Sequence, residues 1–495
     1  MSLTGKSKAA AGLAAVLTVG PFCGGCGDVY RPVANPILQP GGDPQRMHHV
    51  LVVSKNGPCP TGTAMDCGTA VAIDVSGDTA VASFSGVNAV GRNPMHATNL
   101  GGTDYVVNRD DNSLSVFTLP VIPNSLNKPA IITLSTGASP VFAASAQGKI
   151  FVADSGTNGV AVISGNNYLP PEIKVGANPV ALVATPDGTQ LYCLNQDDNS
   201  ISVIFPANNT VLPPIQVGTS PVWGAVSADG TRVFVVNQGS DNVSVIDTSS
   251  QTVVNPPLSV RAGPNYIVYD SALNRAYVTS PAGNSLSIID NKVDPNQCAL
   301  KPTLCVQTIS MASGACNGQH PISVTALADG TRAYVADQAS NNVCVLNTAS
   351  NKFTKAIPVG TAPTTTVGIT SDPDSTRVYT ASAATLPIAS ISRSSNVVTV
   401  TTSGSNPFAV GQTVVIAGVK DTTYNGSFGI TAVGSSTQFT YSQSGADSSS
   451  SGGTATVGYV AIIQTSSDTL VMQGDGVTPL TIPTLGTPTF ITLTP

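Results

Sequence analysis

Few side chains of this 495-residue chain are of the types that carry out acid–base or metal chemistry. Its four histidines are His48, His49, His96 and His320, and none stands in a His-x-x-x-His or Cys/His metal spacing. The chain contains no G-x-S-x-G nucleophile elbow, P-loop or Rossmann glycine fingerprint. Pairs of Asp with Gly or Asn share letters with calcium loops, but their spacing is that of hairpin turns. The sequence therefore predicts no catalytic residue, no cofactor and no metal ligand.

Two of the histidines lie where they could approach a common space. His96 follows Pro94 and His320 precedes Pro321, and each proline opens a predicted strand of the same kind in a different repeat. Both imidazoles could thus reach the mouth of a central channel, although solvated loop histidines are the commoner interpretation. Trp223, the only tryptophan, lies in a strand of this kind, and we expect it in the core rather than at a ligand site.

The positions of these residues follow from a repeated phrase. It consists of Gly-x-x-Pro, an apolar strand, a turn of the Asp-Gly type and an aromatic-Val-x-Asn strand, as in GTSPVWGAVSADGTRVFVVN from Gly218. Most copies are 39 to 46 residues apart, with one interval of 57. A period near 40 built from short strands predicts a β-propeller with one four-stranded blade per repeat. The prolines that open the first strands are Pro94, Pro140, Pro179, Pro221, Pro264, Pro321, Pro363 and Pro488.

The repeats resemble the YVTN-type β-propeller repeats of secreted and surface-layer proteins, within the lactonase-like propellers. The signature tetrapeptide appears as Tyr105-Val106-Val107-Asn108, as Phe234-Val235-Val236-Asn237 and as Tyr334-Val335-Ala336-Asp337. The resemblance covers roughly residues 46–385 and the extreme C-terminus. It implies the fold; it does not imply an activity, because such rings host unrelated functions.

The repeat count predicts eight blades, with seven as the alternative if a degenerate terminal copy is not a true blade. The N-terminal copy lacks a first strand, and Thr489 to Leu493 at the C-terminus supply one. This pairing would close the ring and leave no open sheet edge.

The long last interval predicts a second domain. Residues 387–457 alternate Val/Ile with Thr/Ser and contain Asn425-Gly426, a strong hairpin signal. The segment resembles the small β-barrel modules similar to the FCCH domain of ubiquitin-activating enzymes. We therefore assign residues 46–386 and 458–495 to the propeller and place the barrel between the second and third strands of the last blade. The predicted fold class is all-β.

The N-terminus predicts a targeting segment. Lys6 and Lys8 precede an apolar run, residues 9–22, that has the length of a signal-peptide core. Gly25-Cys26 resembles the end of a bacterial lipoprotein signal, so we expect residues 1–26 to be a signal and anchor with lipidation at Cys26. Ordinary signal cleavage is the alternative. The Pro-rich residues 27–45 would then be a tether.

Export makes further cysteines disulfide candidates. Cys59 and Cys67 lie in one excursion between two strands and are expected to pair. Among Cys298, Cys305 and Cys316, which share one long interval, Cys298–Cys305 is the favoured pair because a strand advances ~3.3 Å per residue.

Two cysteines remain on strands of different blades. We expect Cys193 and Cys344 to be buried free thiols.

Composition excludes some partners. Only 10% of the residues are charged and the net charge is −6, which argues against nucleic acid and against an anionic membrane as direct partners. We expect a monomer held to the membrane only by its lipid, at the outer membrane, the cell surface or in the periplasm, with an unidentified envelope protein or glycan as partner.

Two functions remain open. The favoured one is a non-enzymatic binding or scaffold protein of the cell envelope. Its expected binding surface is the rim sector that contains the inserted barrel and the Cys59–Cys67 excursion, since variable loops on a rigid scaffold often carry function. The alternative is a lactonase-like hydrolase that uses the central channel.

Overall fold

The computed structural model describes residues 48–59, 67–85, 88–119, 128–292, 305–360 and 364–494. The predicted signal, the Cys26 anchor and the tether lie outside these residues. Almost all regular structure is β. Within the described ranges, no helix is long and apolar enough to cross a membrane.

Eight sheets form the molecule, and they follow one another along the chain. The first sheet contains β1 (His49–Gly57), β2 (Cys67–Asp74) and β3 (Thr79–Phe84). The second contains β4 (Pro94–Leu100), β5 (Thr103–Asn108), β6 (Ser113–Thr118) and β7 (Ala130–Thr133). The third contains β8 (Pro140–Ala146), β9 (Lys149–Asp154), β10 (Gly159–Ser164), β11 (Asn167–Tyr168) and β12 (Ile173–Lys174).

The next two sheets contain β13 (Pro179–Ala184), β14 (Leu191–Asn195), β15 (Ser200–Phe205), β16 (Thr210–Val211) and β17 (Ile215–Gln216), and then β18 (Pro221–Val226), β19 (Arg232–Asn237), β20 (Asn242–Asp247) and β21 (Thr252–Ser259). Two more contain β22 (Tyr266–Asp270), β23 (Arg275–Ser280), β24 (Ser285–Asp290) and β25 (Val306–Ser310), and then β26 (Pro321–Ala326), β27 (Arg332–Asp337), β28 (Asn342–Asn347) and β29 (Lys352–Pro358).

The last sheet has ten strands and continues into a barrel. In chain order they are β30 (Thr364–Ser371), β31 (Arg377–Ser394), β32 (Val397–Thr402), β33 (Thr413–Ala417), β34 (Gly426–Ser435), β35 (Gln438–Ser442), β36 (Ser448–Ser450), β37 (Thr454–Gln464), β38 (Thr469–Leu470) and β39 (Thr481–Pro483). A short 3₁₀ helix, Thr422–Tyr424, lies between β33 and β34. The last strand of the chain, β40 (Thr487–Thr494), pairs with β1.

The innermost strands form a closed ring. They contact one another in the order β40, β4, β8, β13, β18, β22, β26, β30 and back to β40. Seven positions of this ring are filled by self-contained blades. Seven is the blade number that the sequence analysis gives as the alternative to eight. The eighth is filled by the inner strands of the sheet that is part blade and part barrel. Counted along the chain, blade 1 contains β1 and β40, and blade 8 contains β30, β31 and β37.

Chain closure is as the sequence predicts. Phe490 of β40 lies opposite Val53 of β1, and Pro488 opposite Ser54. The first blade is thus assembled from both ends of the described chain, so that its innermost strand comes last in the sequence.

The inserted barrel continues a hairpin of blade 8. β31 and β37 pair without interruption from Arg377↔Gln464 to Pro387↔Thr454. Beyond that point β32, β35, β34 and β33 complete a closed six-stranded barrel that returns to β37. One hydrophobic cluster runs from Tyr334 in blade 7 to Phe439 in the barrel, so blade and barrel share a core.

Each blade is buried on both faces. Leu191–Asn195 of β14 is buried at every position, and the hydrophobic clusters lie between neighbouring blades. Strands this apolar on both sides need a blade against each face.

Asn and Asp side chains in turns join the blades at one rim. The side-chain oxygen of Asn199, in the turn between β14 and β15, accepts a hydrogen bond of 2.7 Å from the Ser220 N–H in front of the next first strand. Asn199 has a φ of 54°, a conformation that Asn tolerates well. Asn112, Asn158, Asp241 and Asn284 make the equivalent bond. The Asp and Asn residues in these turns of the repeat therefore form hydrogen bonds between blades.

A second set of contacts joins the blades at the opposite rim. Arg332 of blade 7 lies 3.3 Å from the Asp468 carboxylate of blade 8, and Tyr334 donates to the same carboxylate at 2.6 Å. Lys149, Gln190, Arg232 and Arg275 make corresponding hydrogen bonds to the following blade.

The last of these contacts closes the ring. Arg377 of blade 8 lies 3.0 Å from the carboxylate of Asp78 in blade 1, and both side chains are buried. Tyr379 donates to the other Asp78 oxygen at 2.8 Å.

We predict that Arg377→Met destabilises the protein by about 3–5 kcal/mol, because it leaves the Asp78 carboxylate buried without its cation. Arg92→Met is the matched control. Its partner Asp111 is 2.6 Å away, but both side chains are substantially exposed, so the expected loss is about 0–1 kcal/mol. Denaturant midpoints measure the difference. Equal losses in the two variants would contradict the role assigned to the buried pair.

Candidate functional site

The pairing register identifies one layer of residues around the ring axis. In β4, β8, β13, β18 and β26 a bulge follows the proline opposite the end of the second strand, and the next paired residue occupies this layer. β40 and β30 contain the same bulge after Pro488 and Thr366, and β22 begins at the equivalent residue, Tyr266, without a bulge. Around the ring the layer contains Phe490, His96, Phe142, Ala181, Trp223, Tyr266, Ser323 and Gly368. Five of the eight positions are therefore aromatic, counting the imidazole.

The aromatic side chains contact one another across blades. The His96 ring lies 3.7 Å from Phe142 and 4.3 Å from Phe490, measured between ring centroids. Trp223 lies 5.3 Å from Phe142 and 4.9 Å from Tyr266. Trp223 and His96 are only 6.4 Å apart although they belong to blades 5 and 2. The rings thus converge on the axis and fill much of the channel at this level.

Small residues complete the layer on the other side. Ser323 and Gly368 occupy the layer in the neighbouring blades 7 and 8. A Cβ at Gly368 would lie 2.9 Å from Ile491 Cγ2 of β40, which is too close unless that side chain shifts.

The last repeat departs from the register that the sequence predicts. Thr366, and not Pro363, occupies the proline position of blade 8, because Thr366 pairs with Ser382 and the bulge follows it.

His96 is a neutral, buried ring. It is 8% exposed, and burial lowers the pKa of its imidazole to about 3. Its Nδ1 accepts a long hydrogen bond of 3.5 Å from the Ala143 N–H. A group with this pKa is too weak a base to take up a proton near neutral pH.

The structure does not bring the histidines into one site. His320 is exposed at the rim, with its backbone N–H bonded to Asn284 Oδ1, whereas His96 lies inside the channel layer. His49 is buried at the start of β1, where burial lowers its pKa. Trp223, expected in the core, packs against the cluster between blades 5 and 6 and also contributes its ring to the channel layer.

The channel layer was missed as a feature of the sequence, but a signal for it exists. Four of the eight residues that stand two positions after an anchoring proline are Phe, Trp or Tyr and a fifth is His, although Phe, Trp and Tyr together make up 5% of the chain. Alignment of the repeats on the proline would have shown this enrichment.

The structure joins Cys59 to Cys67, with Cα atoms 5.3 Å apart. Cys305 is also disulfide-bonded; its expected partner, Cys298, lies outside the described residues. Cys193 is buried and free, as expected, and burial raises the pKa of its thiol.

The expectation of a free thiol at Cys344 is wrong. Cys344 forms a disulfide with Cys316. Cys316 lies in the loop before the first strand of blade 7 and Cys344 on the third strand of the same blade, and the sequence interval that grouped Cys316 with Cys298 and Cys305 does not show this proximity.

Asp337 adjoins this disulfide. Its carboxylate lies within 4.8 Å of both sulfur atoms, and the three residues are the one group of three or more potential metal ligands among the described residues. Because the sulfurs are bonded to each other, they are not thiolate ligands here. Neither Asp337 oxygen has a hydrogen-bond partner, and burial raises the pKa of the carboxyl to about 8.

We predict that Asp337→Asn flattens the dependence of stability on pH. The folded carboxyl keeps its proton up to about pH 8, whereas the unfolded one releases it near its ordinary value of 3.8. Stability from this group is therefore lost as pH rises through that window.

Thermal melts between these two limits measure the slope. Asp229→Asn is the control, because hydrogen bonds from Ser227 and Thr231 lower the Asp229 pKa, so that its contribution is lost only as pH falls. A melting profile for Asp337→Asn parallel to that of the unchanged protein would contradict the prediction.

A second candidate site lies where the barrel meets the ring. A cavity of about 600 Å³ opens between blade 7, blade 8 and the barrel. Its lining is mainly apolar: Ile357, Pro358 and Val359 come from blade 7, Phe408 and Ala409 from the barrel, and Val457, Tyr459, Leu470 and Met472 from blade 8. This size lies within the range of small-molecule pockets, which are usually apolar and often occur at domain junctions. We call this cavity the junction groove.

Most polar groups of the junction groove are already engaged. Tyr459 donates to the Val359 carbonyl at 3.0 Å, and Gln412 accepts from the Ala409 N–H at 2.9 Å. Apolar side chains remain exposed beside it, including Met472 at 42% and Val477 at 79%. The junction groove therefore offers surface to an apolar ligand and few unpaired polar groups.

The barrel also contacts the sector that the sequence singles out. Ser427 of β34 donates to the Asn56 carbonyl near the end of β1, next to the Cys59–Cys67 disulfide. The barrel thus contacts the end of β1 and also lines the junction groove.

These features define a β-propeller protein with a small closed barrel inserted in its last blade. Residues 216–417 match the family described as "Lactonase, 7-bladed beta-propeller". The match extends from the fourth sheet through β33 and covers less than half of the chain. Over these residues the propeller is therefore similar to the lactonase family.

Among solved structures, virginiamycin B lyase from Staphylococcus aureus is 14% identical, with 58% of this chain and 90% of that chain covered and a TM-score of 0.45. A functionally unknown protein from Desulfotomaculum acetoxidans is 12% identical, with 62% and 94% covered and a TM-score of 0.46. Kuenenia stuttgartiensis hydrazine synthase is 18% identical, with 58% and 92% covered and a TM-score of 0.41. No curated protein matches the sequence.

Proposed function

We propose that this protein is a non-enzymatic binding protein of the bacterial cell envelope and that the junction groove takes up an uncharged, mainly apolar small molecule. The single observation that carries the proposal is the apolar cavity of about 600 Å³ between the ring and the barrel. Cavities of this kind bury most of the surface of a ligand of drug size.

The channel supports the same choice. Its aromatic layer contains one titratable group of the kind a hydrolase uses, His96, whose pKa of about 3 makes it a poor base. No Arg, Lys, Asp or Glu occupies any of the eight positions of this layer.

We predict that the protein binds an uncharged apolar fluorescent dye such as N-phenyl-1-naphthylamine and that Met472→Glu weakens this binding at least about tenfold. A carboxylate in the groove would have to be desolvated by an apolar ligand, and such burial is costly. Met472 is 42% exposed, so the ring is expected to fold normally in the variant.

Val81→Glu is the matched control. Val81 is 40% exposed on β3 in blade 1, outside the lining of the groove. Fluorescence titrations compare the three proteins. Equal dye affinity in all of them would exclude the junction groove as the binding site.

A lactonase-like hydrolase is the second candidate, and the family match of residues 216–417 favours it. Substrate in the channel would contact the aromatic layer and change the emission of Trp223, the only tryptophan. Turnover of a lactone panel together with this change would support the hydrolase; turnover that survives His96→Phe would place the chemistry elsewhere than at His96.

Export and anchoring through Cys26 form the second part of the proposal. The lysines and apolar run before Gly25-Cys26 and the low charge of the chain support it, and the Cys59–Cys67 and Cys316–Cys344 disulfides agree with an oxidising compartment. The envelope partner and the monomeric state remain parts of this proposal.

We predict that Cys26→Ser abolishes labelling with a radioactive fatty acid and releases the protein from the membrane fraction. Cys23→Ser is the control and should leave both unchanged. Loss of label in Cys23→Ser with retention in Cys26→Ser would move the anchor to Cys23.

A further inference from the structure

The residue that ends the second strand has the same environment in blades 2, 4 and 5. In blade 4, Asn195 Nδ2 donates to the hydroxyls of Ser200 and Ser202 at 3.1 and 3.0 Å. Asn108 and Asn237 make the equivalent bonds in their own blades. At this position an amide is therefore partnered by short polar side chains of the third strand.

Blade 3 breaks this pattern. The amide is replaced by Asp154, and the two partner positions on β10 are Gly159 and Ala161, which supply no hydroxyl. Asp154 is fully buried, and neither of its oxygens has a hydrogen-bond partner. A buried carboxylate without a donor or a cation is strongly unfavourable.

A second carboxylate occupies the space that Gly159 leaves open. A Cβ on Gly159 would lie 2.4 Å from Glu172 Oε2. Gly159 is the direct cross-strand partner of Asp154, and side chains so paired lie about 4.5–5.5 Å apart. The two carboxylates therefore face each other, and Glu172 Oε1 is also buried without a partner.

The surroundings supply neutral oxygens, and Lys174, which lies opposite Gly159, directs its Nζ to the Thr157 carbonyl at 3.4 Å. The Tyr168 hydroxyl lies 2.8 Å from Ser135 Oγ of blade 2, and the charges of Glu172 and Asp154 act on it. Burial, and after it the negative charge of Glu172, raises the Asp154 pKa to about 8. Three buried carboxylate oxygens without a hydrogen-bond partner thus lie close together.

We propose that Asp154 and Glu172 form a binding site for a hard divalent cation, with Ca²⁺ as the best-matched ion. Carboxylate and hydroxyl oxygens are the ligands that Ca²⁺ prefers, and it accepts the bidentate and irregular geometry that an all-protein site of this kind offers. A divalent ion also matches the two negative charges. The ion would tie the segment after β11 to the second strand of blade 3.

The test uses the purified protein, freed of metal with EDTA. Ca²⁺ in excess should raise its melting temperature by a few degrees, because an ion that binds only the folded state stabilises it. Glu172→Gln and Asp154→Asn should each abolish this rise and weaken Ca²⁺ binding in calorimetry by more than about tenfold. Both variants keep the shape of the side chain, and Asn is the natural residue at the equivalent position of blade 4.

Asp337→Asn is the matched control. Asp337 occupies the same repeat position in blade 7 and has similar burial, but no second carboxylate acts on it. This variant should keep the full Ca²⁺-dependent rise. Tb³⁺ gives an independent readout, since luminescence sensitised by Tyr168 should disappear in Glu172→Gln and in Tyr168→Phe.

Two outcomes would overturn the proposal. A Ca²⁺-dependent rise that persists in both Glu172→Gln and Asp154→Asn would place the ion elsewhere. No response to Ca²⁺ or Tb³⁺ in the unchanged protein would mean that the pair is neutralised by a shared proton only.

Discussion

The rest of the structure depends on the burial of every blade between two neighbours. A second strand such as β14 is apolar on both faces, so a blade at the end of an open array would expose one of them. The ring must therefore close, and it does so with two devices at the same place. β40 completes the sheet that begins with β1, and the buried Arg377–Asp78 pair, with Tyr379, joins blade 8 to blade 1.

The inter-blade contacts explain why many polar residues of the repeat have a structural role. At one rim, Asn or Asp in a left-handed turn accepts the N–H in front of the next first strand. At the other rim, Arg, Gln or Lys at the start of the second strand reaches the following blade. The chemically reactive side chains of the propeller are thus mostly used to hold blades together. The positions nearest the axis are given instead to aromatic and small residues.

The barrel is an outgrowth of a blade rather than a separate body attached by a linker. β31 and β37 run through both units as one continuous hairpin, and one hydrophobic cluster spans them. A barrel held rigidly above blade 8 cannot also cover the outer strand of blade 7, and the junction groove is the space that remains. The proposed binding site is therefore a consequence of how the insertion is joined to the ring.

The sequence by itself determined the repeat, the four-stranded blades, the closing C-terminal strand and the place of the insertion. Each of these follows from a local sequence pattern: a proline where a first strand begins, an Asp-Gly-type turn, alternation of apolar residues, or a break in the repeat. Only the tertiary structure decided which residues meet across blades. The Cys316–Cys344 disulfide, the use of Thr366 in place of Pro363, the aromatic channel layer, the junction groove and the Asp154–Glu172 pair all join positions far apart or out of step in the sequence. The physical reason is that a β-strand pattern fixes which face a side chain occupies, whereas its neighbours on that face depend on register, bulges and the closure of the ring.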